Sequence, residues 1–269
     1  TATANSNLYD VDNDFTFTGT AEAARTDVGT TNMGLTSGQF TNTNPNFGTV
    51  TFNVTDGYQR ITPINVTVTI TGKNDTTSYD GGPHTVTGYT ASADNTLYDA
   101  DNYFTFSGEA KATRTDVGTT KMGLTADQFT NTNENFGTVT FVIVDGYQTI
   151  TPIDITVTIV GKNSTLPYDG EEHSVSGYDV TISDPLYKKT DFTFSGTAEA
   201  ARTDAGTTNM GLAASQFTNN NSNFGTVTFN VTDGYQTITP IDVTVTIVGA
   251  NNTTDYDGGS HTVQGYTAT

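Results

Sequence analysis

The feature that most constrains the fold of this chain is a sequence unit that occurs three times. The motif DGYQ begins at Asp56, Asp145 and Asp233, so its copies lie 89 and then 88 residues apart. The motifs NFGTVTF, TPI and RTD recur with the same spacing. A period of about 88 residues is the size of one small domain, and tandem copies of that length predict a chain of similar domains in a row.

The phase of the repeat predicts where the copies begin and end. A unit that opens on its YDG motif and closes on its TVTI motif is complete twice, over residues 71–159 and 160–247. Residues 1–70 lack the opening YDG hairpin, and residues 248–269 carry the opening hairpin of a further repeat. The last three residues, Thr-Ala-Thr, are also the first three, so the pattern continues in phase if the end is joined to the beginning. This predicts either one window of a longer repetitive polypeptide or one subunit of a head-to-tail polymer.

Within each copy the apolar residues alternate, as in strands that are buried on one face. Val66, Val68 and Ile70 alternate with threonines in the TVTI motif, and this period of two predicts a strand. Two further alternating runs predict strands over residues 15–17 and 50–54. Threonine, which is β-branched, suits such half-buried surfaces and compensates for a hydrophobic content of 33%.

Turn signals separate these runs and complete the predicted architecture. The Asp-Gly pair of DGYQ predicts a hairpin, and YDGG at residues 79–82 predicts the turn of the opening hairpin. Only LTADQF suggests a helix, as a single turn with Thr125 at its N-cap. We therefore expect an all-β chain of tandem immunoglobulin-like β-sandwich repeats of about 88 residues, each with at most one short helical turn.

Charge and composition exclude several function classes. The chain carries 29 acidic against 10 basic residues, a net charge of -19, which argues against binding to nucleic acid or to anionic membrane surfaces. The absence of cysteine excludes disulfides and thiolate chemistry. No apolar run approaches the ~20 residues that cross a bilayer, so we expect no membrane insertion within this sequence.

The longer motifs resemble a family of repeats. YDGGPHTVTGY, FTFSG, RTDVGTT, MGLTADQF and DGYQTITPIDITVTI are similar to the Gly-rich β repeats called MBG or YDG-type domains, which occur in tandem in large bacterial cell-surface proteins. The resemblance covers essentially the whole chain. It implies an immunoglobulin-like or related β-fold, an extracellular location on a bacterial surface with the anchor outside these residues, and a role as stalk or adhesin scaffold. It brings no catalytic residue and no cofactor.

Two polar motifs recur in every copy and are interpreted mainly as structural. In the first, Tyr, Asp and His lie within six residues, where a turn Asp and a hairpin His are favoured over half of a catalytic pair. In the second, an Arg precedes an Asp by two residues, which favours an ion pair or an Arg that binds turn carbonyls over a carboxylate-binding site. The residues of the two motifs are Tyr79, Asp80, His84, Tyr168, Asp169, His173, Tyr256, Asp257 and His261, and Arg25, Asp27, Arg114, Asp116, Arg202 and Asp204.

Two other kinds of site are weaker candidates. Asp10, Asp12 and Asp14 offer oxygen ligands for Ca²⁺, but the third copy replaces this acidic segment with YKKTDF, which favours a solvated loop. Self-made cross-links are the other candidate. A Lys–Asn amide would use Lys73 or Lys162, and a Thr–Gln ester would use a glutamine of DGYQ, namely Gln59, Gln148 or Gln236.

These observations leave three functions open, none of them catalytic. The first is a rigid spacer: strands of about ten residues, at ~3.3 Å per residue, predict a repeat roughly 35–40 Å long and a length of about 100 Å for the whole sequence. The second is an adhesin module that binds a host protein or a glycan through an exposed aromatic, with Tyr9, Tyr58 and Tyr89 as candidates. The third is an extracellular fibre in which residues 248–269 of one chain complete the first repeat of the next by strand addition.

Overall fold

The computed structural model describes all 269 residues and confirms the all-β prediction. The chain forms two compact units, Thr1–Thr77 with Pro83–Ile150 and Ser78–Gly82 with Thr151–Thr269. The strands are, in chain order, β1 (Phe15–Phe17), β2 (Gly29–Asn32), β3 (Phe40–Asn42), β4 (Tyr58–Ile61), β5 (Ile64–Gly72), β6 (Asn74–Ser78), β7 (His84–Thr87), β8 (Tyr89–Ala93), β9 (Phe104–Phe106), β10 (Lys111–Arg114), β11 (Gly118–Lys121), β12 (Phe129–Asn131), β13 (Phe136–Val144), β14 (Tyr147–Thr151), β15 (Ile153–Gly161), β16 (Asn163–Pro167), β17 (His173–Ser176), β18 (Tyr178–Ile182), β19 (Phe192–Phe194), β20 (Glu199–Arg202), β21 (Gly206–Asn209), β22 (Phe217–Asn219), β23 (Phe224–Thr232), β24 (Tyr235–Thr239), β25 (Ile247–Gly249) and β26 (Tyr266–Ala268).

In each unit a TVTI strand is the central strand of a three-stranded sheet. In the first unit β5 pairs in parallel with β13 on one side and antiparallel with β8 on the other. In the second unit β15 pairs in the same way with β23 and β18. Val68 and Ile70 are fully buried, as are Val157 and Ile159, so the predicted one-sided alternation of this strand is confirmed.

Aromatic rings fill the rest of the core. In the first unit the ring of Phe129 stacks on those of Phe106 and Phe141, with centroids 4.7 and 5.6 Å apart. In the second unit Phe217 stacks on Phe194 and Phe229 at 4.8 and 5.5 Å. These repeated stacks bury large apolar area where the sequence is otherwise rich in threonine.

According to the strand pairing, the packed repeat begins and ends at different residues from those predicted. The predicted boundaries at 70/71 and 159/160 cut β5 and β15 close to their ends. Both strands, however, pair only with strands that follow them in the chain. As a packed unit, the repeat therefore starts at its TVTI strand and ends at β14 or β24.

Two predicted hairpins are wrong. The strands on either side of Asp145-Gly146 lie in different sheets, β13 beside β5 and β14 between β11 and β6. The strands on either side of the YDGG turn, β6 and β7, are likewise in different sheets. Both turns carry the chain from one sheet to another. A local turn signal cannot distinguish this from a hairpin, because the same sharp reversal serves both.

The strand predicted over residues 50–54 is also wrong, although its counterparts β13 and β23 form. Residues 51–57 are in no strand, and β4 begins only at Tyr58. No strand of the chain pairs with this segment. Its alternating valines and phenylalanine therefore lack the neighbour that would make them a strand.

The predicted helical turn is present in each copy as a single 3-10 turn, at Ser37–Gln39, Ala126–Gln128 and Ala214–Gln216. The capping contact comes from glutamine, since the Gln128 side chain accepts a hydrogen bond from the Thr125 N–H at 2.9 Å. In the third copy Ala213 replaces the threonine and the Gln216 contact persists at 2.8 Å. This copy has a second turn at Lys189–Asp191, so the limit of one turn per repeat is wrong there. No helix is long and apolar enough to span a membrane.

Candidate functional site

The recurrent arginines hold the turn that follows them. The Nη2 of Arg114 donates to the carbonyl oxygen of Val117 at 2.7 Å, and its Nη1 donates to Thr120 Oγ1 at 3.3 Å. Gly118 has a φ of +130°, and a Cβ at this position would collide with the guanidinium. Arg25 and Arg202 make equivalent contacts to Val28 and Ala205. Of the two structural interpretations, the geometry favours the arginine that binds turn carbonyls.

The aspartate of the same motif has a role that the sequence did not suggest. In the first unit Asp27 Oδ1 accepts a hydrogen bond from Asn135 Nδ2 at 2.8 Å, and the N–H of Val28 donates to Asn135 Oδ1 at 2.7 Å. Asn135 is the first residue of the second NFGTVTF motif, so this pair of bonds clasps one copy to the next. The only sequence signal is that both motifs recur with one spacing.

The Tyr-Asp-His motif forms an exposed acid–imidazole pair. His173 Nε2 lies 3.0 Å from both carboxylate oxygens of Asp169, and His261 Nε2 lies 2.8 Å from Asp257 Oδ1. The N–H of Glu171 and then the His173 imidazole lower the pKa of the Asp169 carboxyl. The N–H of Gly259 and then His261 lower that of Asp257.

The first copy of this motif shows the same turn, and strand pairing adds the arginine. Asp80 Oδ1 accepts from the Gly82 N–H at 2.8 Å. His84 lies directly opposite Arg114 in the β7–β10 pair, and His173 lies opposite Arg202 in the β17–β20 pair. The two predicted motifs therefore meet across a strand pair, although they are about 30 residues apart in the sequence.

The acidic loop of the calcium prediction is held together by its own backbone. Asp10 Oδ1 accepts from the Asp12 N–H at 3.0 Å, and the Asp10 N–H donates to Asp14 Oδ2 at 2.7 Å. The Asn13 amide and then the Asp12 N–H lower the pKa of Asp10. In the third copy Asp191 accepts from the Lys188 N–H at 2.7 Å, so one carboxylate of the loop keeps this function where the others are missing. The structure contains no group of three or more acidic, His or Cys side chains placed to hold a metal ion.

The tyrosine of each LYD or LYK segment anchors this loop to the core. The hydroxyl of Tyr187 donates to the Asp191 carbonyl oxygen at 3.1 Å and contacts Asn219 Oδ1 at 3.0 Å. Burial, with a smaller effect of Asp191, raises its pKa to about 12. Tyr9, one of the glycan-binding candidates, makes the same two contacts in the first copy, so its hydroxyl holds the loop in place. Tyr89 packs on Phe106, and of the three candidates only Tyr58 is well exposed.

The cross-link candidates differ from one copy to another. Gln148 and Gln236 are fully buried, whereas Gln59 is exposed. Gln148 Nε2 lies 3.4 Å from Thr77 Oγ1, but Leu166 occupies the position of Thr77 in the next copy. Lys73 and Lys162 are exposed, which does not suit an amide bond that requires a buried lysine.

Two apolar segments lack the neighbours that their counterparts have. The first is residues 47–54, where Val50 and Phe52 line an open groove with Phe40. The second is residues 240–248, where Val243, Val245 and Ile247 are 75, 61 and 63% exposed although their counterparts in β15 are buried. Beside this second segment, in the second unit, lies a shallow pocket lined by Tyr168, Asp204, Ala205, Pro240, Ile241 and Val243.

Comparisons with known proteins find no relative of this chain. No protein-family model, no curated protein and no solved structure matches the chain. The resemblance to MBG or YDG-type repeats therefore stays a prediction from the motifs.

Proposed function

We propose that this chain is a non-catalytic structural repeat region of a bacterial surface protein, and that it acts outside the cell as a rigid spacer. The observation that carries the proposal is the connection between copies. β14 ends at Thr151 and β15 begins at Ile153, so Pro152 alone separates the last strand of one packed repeat from the first strand of the next. Proline fixes its own φ and restricts the residue before it, so this connection has little freedom.

Contacts outside the connection support the same role. In the first unit the Asp27–Asn135 clasp joins the first copy to the second. The turn Ser78–Gly82 belongs to the second unit although the chain on both sides of it belongs to the first. The chain thus passes between the two units three times.

Distance measurements between spin labels test the proposal. The chain has no cysteine, so Thr105→Cys and Thr193→Cys place one label at equivalent exposed positions of the two units. A rigid spacer is expected to give one narrow distance distribution in dilute solution. The matched control inserts a Gly-Ser linker between Thr151 and Pro152 and is expected to broaden the distribution. Equally broad distributions in both proteins would overturn the spacer proposal.

A further inference from the structure

We propose that Thr77 and Gln148 become joined by an ester between the threonine hydroxyl and the glutamine side-chain carbonyl, and that this bond fastens β6 to β14. Both residues belong to the first unit, and the two strands are neighbours in one sheet. The bond goes beyond the spacer role and does not depend on it, because a repeat can be rigid without a covalent cross-link.

The side-chain amide of Gln148 is buried but poorly hydrogen-bonded. The residue is 0% exposed, and its Oε1 has no hydrogen-bond partner. Its Nε2 donates to Thr77 Oγ1 at 3.4 Å and to the Thr149 carbonyl oxygen at 3.3 Å, which is long for N–H···O bonds of usually about 2.9 Å. A buried amide without good partners costs free energy, so these contacts alone do not account for a glutamine at this position.

Thr77 places a hydroxyl against this amide. The residue is half-buried, and its Oγ1 meets the Gln148 Nε2 across 71 positions of the chain. The carbonyl carbon that would be attacked is one bond away from this nitrogen. Because the two strands hold both side chains, the attack is intramolecular, and well-oriented reactions of this kind reach effective molarities of ~10⁵ M or more.

The step replaces an amide bond by an ester bond and needs no oxidant, reductant or cofactor. Oγ1 of Thr77 attacks Cδ of Gln148 and forms the C–O bond, while the Cδ–Nε2 bond breaks. The hydroxyl proton passes to Nε2, which already contacts Oγ1, and the nitrogen leaves as ammonia. Dilution of the ammonia into the solvent drives the reaction forward, and the burial of Gln148 shields the ester from water.

Arg114 brings a positive charge to the same side of the sheet. Its Nη1 donates to Thr120 Oγ1 at 3.3 Å, and Thr120 lies directly opposite Gln148 in the β11–β14 pair. Directly opposite residues of an antiparallel pair share one face, so the guanidinium and the amide flank the same threonine. The Nε of Arg114 is buried without a hydrogen-bond partner. A donor is therefore available for the negative charge that develops on Gln148 Oε1 during the attack.

The second unit contains the same glutamine without this threonine. Gln236 is 0% exposed, its Oε1 has no hydrogen-bond partner, and its Nε2 donates to the Thr237 carbonyl oxygen at 3.2 Å. Leu166 occupies the position of Thr77 in this copy. The whole chain is therefore expected to form one cross-link and not two.

The mass of the intact chain tests the proposal. After incubation at neutral pH until the mass is constant, the folded chain is expected to weigh less than its sequence by one ammonia molecule. Thr77→Val keeps the β-branched shape without the hydroxyl and should restore the full mass, whereas Thr77→Ser retains the hydroxyl and should keep the deficit. A full mass in the unchanged chain, or a deficit that persists in Thr77→Val, would overturn the proposal.

The two buried glutamines provide a matched pair of variants. Gln148→Met removes the group that is attacked and is expected to abolish the mass deficit. Gln236→Met makes the same change at the equivalent buried position and is expected to leave the deficit unchanged. The opposite result, with the deficit lost only in Gln236→Met, would contradict the assignment to Gln148.

Tryptic mapping of the unchanged chain locates the bond without any substitution. Trypsin cleaves after Lys73, Lys111, Lys121 and Lys162, so Thr77 and Gln148 fall in the separate peptides 74–111 and 122–162. After digestion near neutral pH the ester is expected to hold these two peptides together. Mild alkaline hydrolysis should then separate them and leave a carboxylic acid at residue 148. Loss of ammonia with the two peptides unlinked, as from a succinimide at an asparagine, would overturn the proposal.

Discussion

Residues 46–59 and 223–236 have the same 14-residue sequence, NFGTVTFNVTDGYQ, and different structures. At the second location Phe224–Thr232 forms a nine-residue strand that pairs in parallel with β15. At the first location residues 47–57 form no strand. The local sequence is identical, so the difference comes from the neighbouring strand that only the second location has.

The comparison separates two requirements for a strand. Alternating apolar residues make a strand possible, but the backbone hydrogen bonds and the burial come from the partner. The TVTI motif depends on its partner in the same way, but here the last copy, and not the first, lacks it. It is a nine-residue buried strand in β5 and β15, whereas its third copy is mostly exposed and forms only β25, of three residues.

Hydrogen exchange tests the difference between these two segments directly, and it is expected to give the largest effect. In dilute solution the amides of residues 225–232 are expected to exchange at least ~10³-fold more slowly than those of residues 48–55, because they open only with their sheet. Mass spectrometry can distinguish the two segments, since Pro45 and Arg60 flank the first where Ser222 and Thr237 flank the second. Equal protection of both segments would show that the strand forms without its partner.

The same dependence explains which parts of the fold could be predicted from the sequence. The repeat, the all-β class and the buried alternation of Val66 to Ile70 follow from local pattern and are confirmed. The sheet to which each strand belongs does not follow, because DGYQ and YDGG specify sharp turns and not the strands that meet across them. The frame of the packed repeat was missed for the same reason, since β5 pairs with a strand more than 60 residues later.

Truncation of equivalent isoleucines compares the paired and unpaired TVTI strands by stability. Ile159 is fully buried in β15, so Ile159→Ala is expected to destabilise the second unit by about 2–5 kcal/mol. Ile247 is 63% exposed, and Ile247→Ala is expected to change stability by less than ~0.5 kcal/mol. Urea unfolding of both variants at low concentration measures the difference.

A similar loss of stability in the two isoleucine variants would contradict this expectation. It would mean that the last TVTI segment is packed in solution as tightly as β15.

The aspartate of DGYQ gives the next largest effect. Asp233 accepts hydrogen bonds from the N–H groups of Gly211 and Leu212 at 3.0 and 2.9 Å, and Leu212 is buried. Asp233→Ala leaves both donors without this partner and is expected to cost about 1–3 kcal/mol. Asp56 makes the same bonds to Gly34 and Leu35, but Leu35 is only half-buried, so water can replace the carboxylate and Asp56→Ala is expected to cost less.

Thermal unfolding of both aspartate variants, with Asp233→Asn as a conservative control, measures this difference. The asparagine oxygen retains one acceptor and should recover part of the loss. If Asp56→Ala cost as much as Asp233→Ala, the first copy would be as well packed as the third.

The candidate site was less predictable than the fold, and Asp27 shows why. The sequence places Arg25 and Asp27 two residues apart, which suggests that they pair with each other. In the structure Arg25 binds the Val28 carbonyl while Asp27 receives the Asn135 side chain from the next copy. A contact across 108 residues leaves no local pattern, so only the shared spacing of the two motifs carries any signal of it.

The smallest expected effect compares the loop tyrosines under alkaline conditions. Burial raises the pKa of Tyr9, Tyr98 and Tyr187, in the case of Tyr187 to about 12. Between pH 10 and about 12 the unfolded chain loses a phenolic proton that folded Tyr187 retains, so the stability of the second unit is expected to fall as the pH rises. Tyr187→Phe removes this proton and should flatten the stability curve over that range, although it also loses the hydrogen bonds to Asp191 and Asn219. Urea unfolding at several pH values measures the slope, with Tyr58→Phe at an exposed ring as the control. A slope that is unchanged in Tyr187→Phe would assign the alkaline loss of stability to other groups.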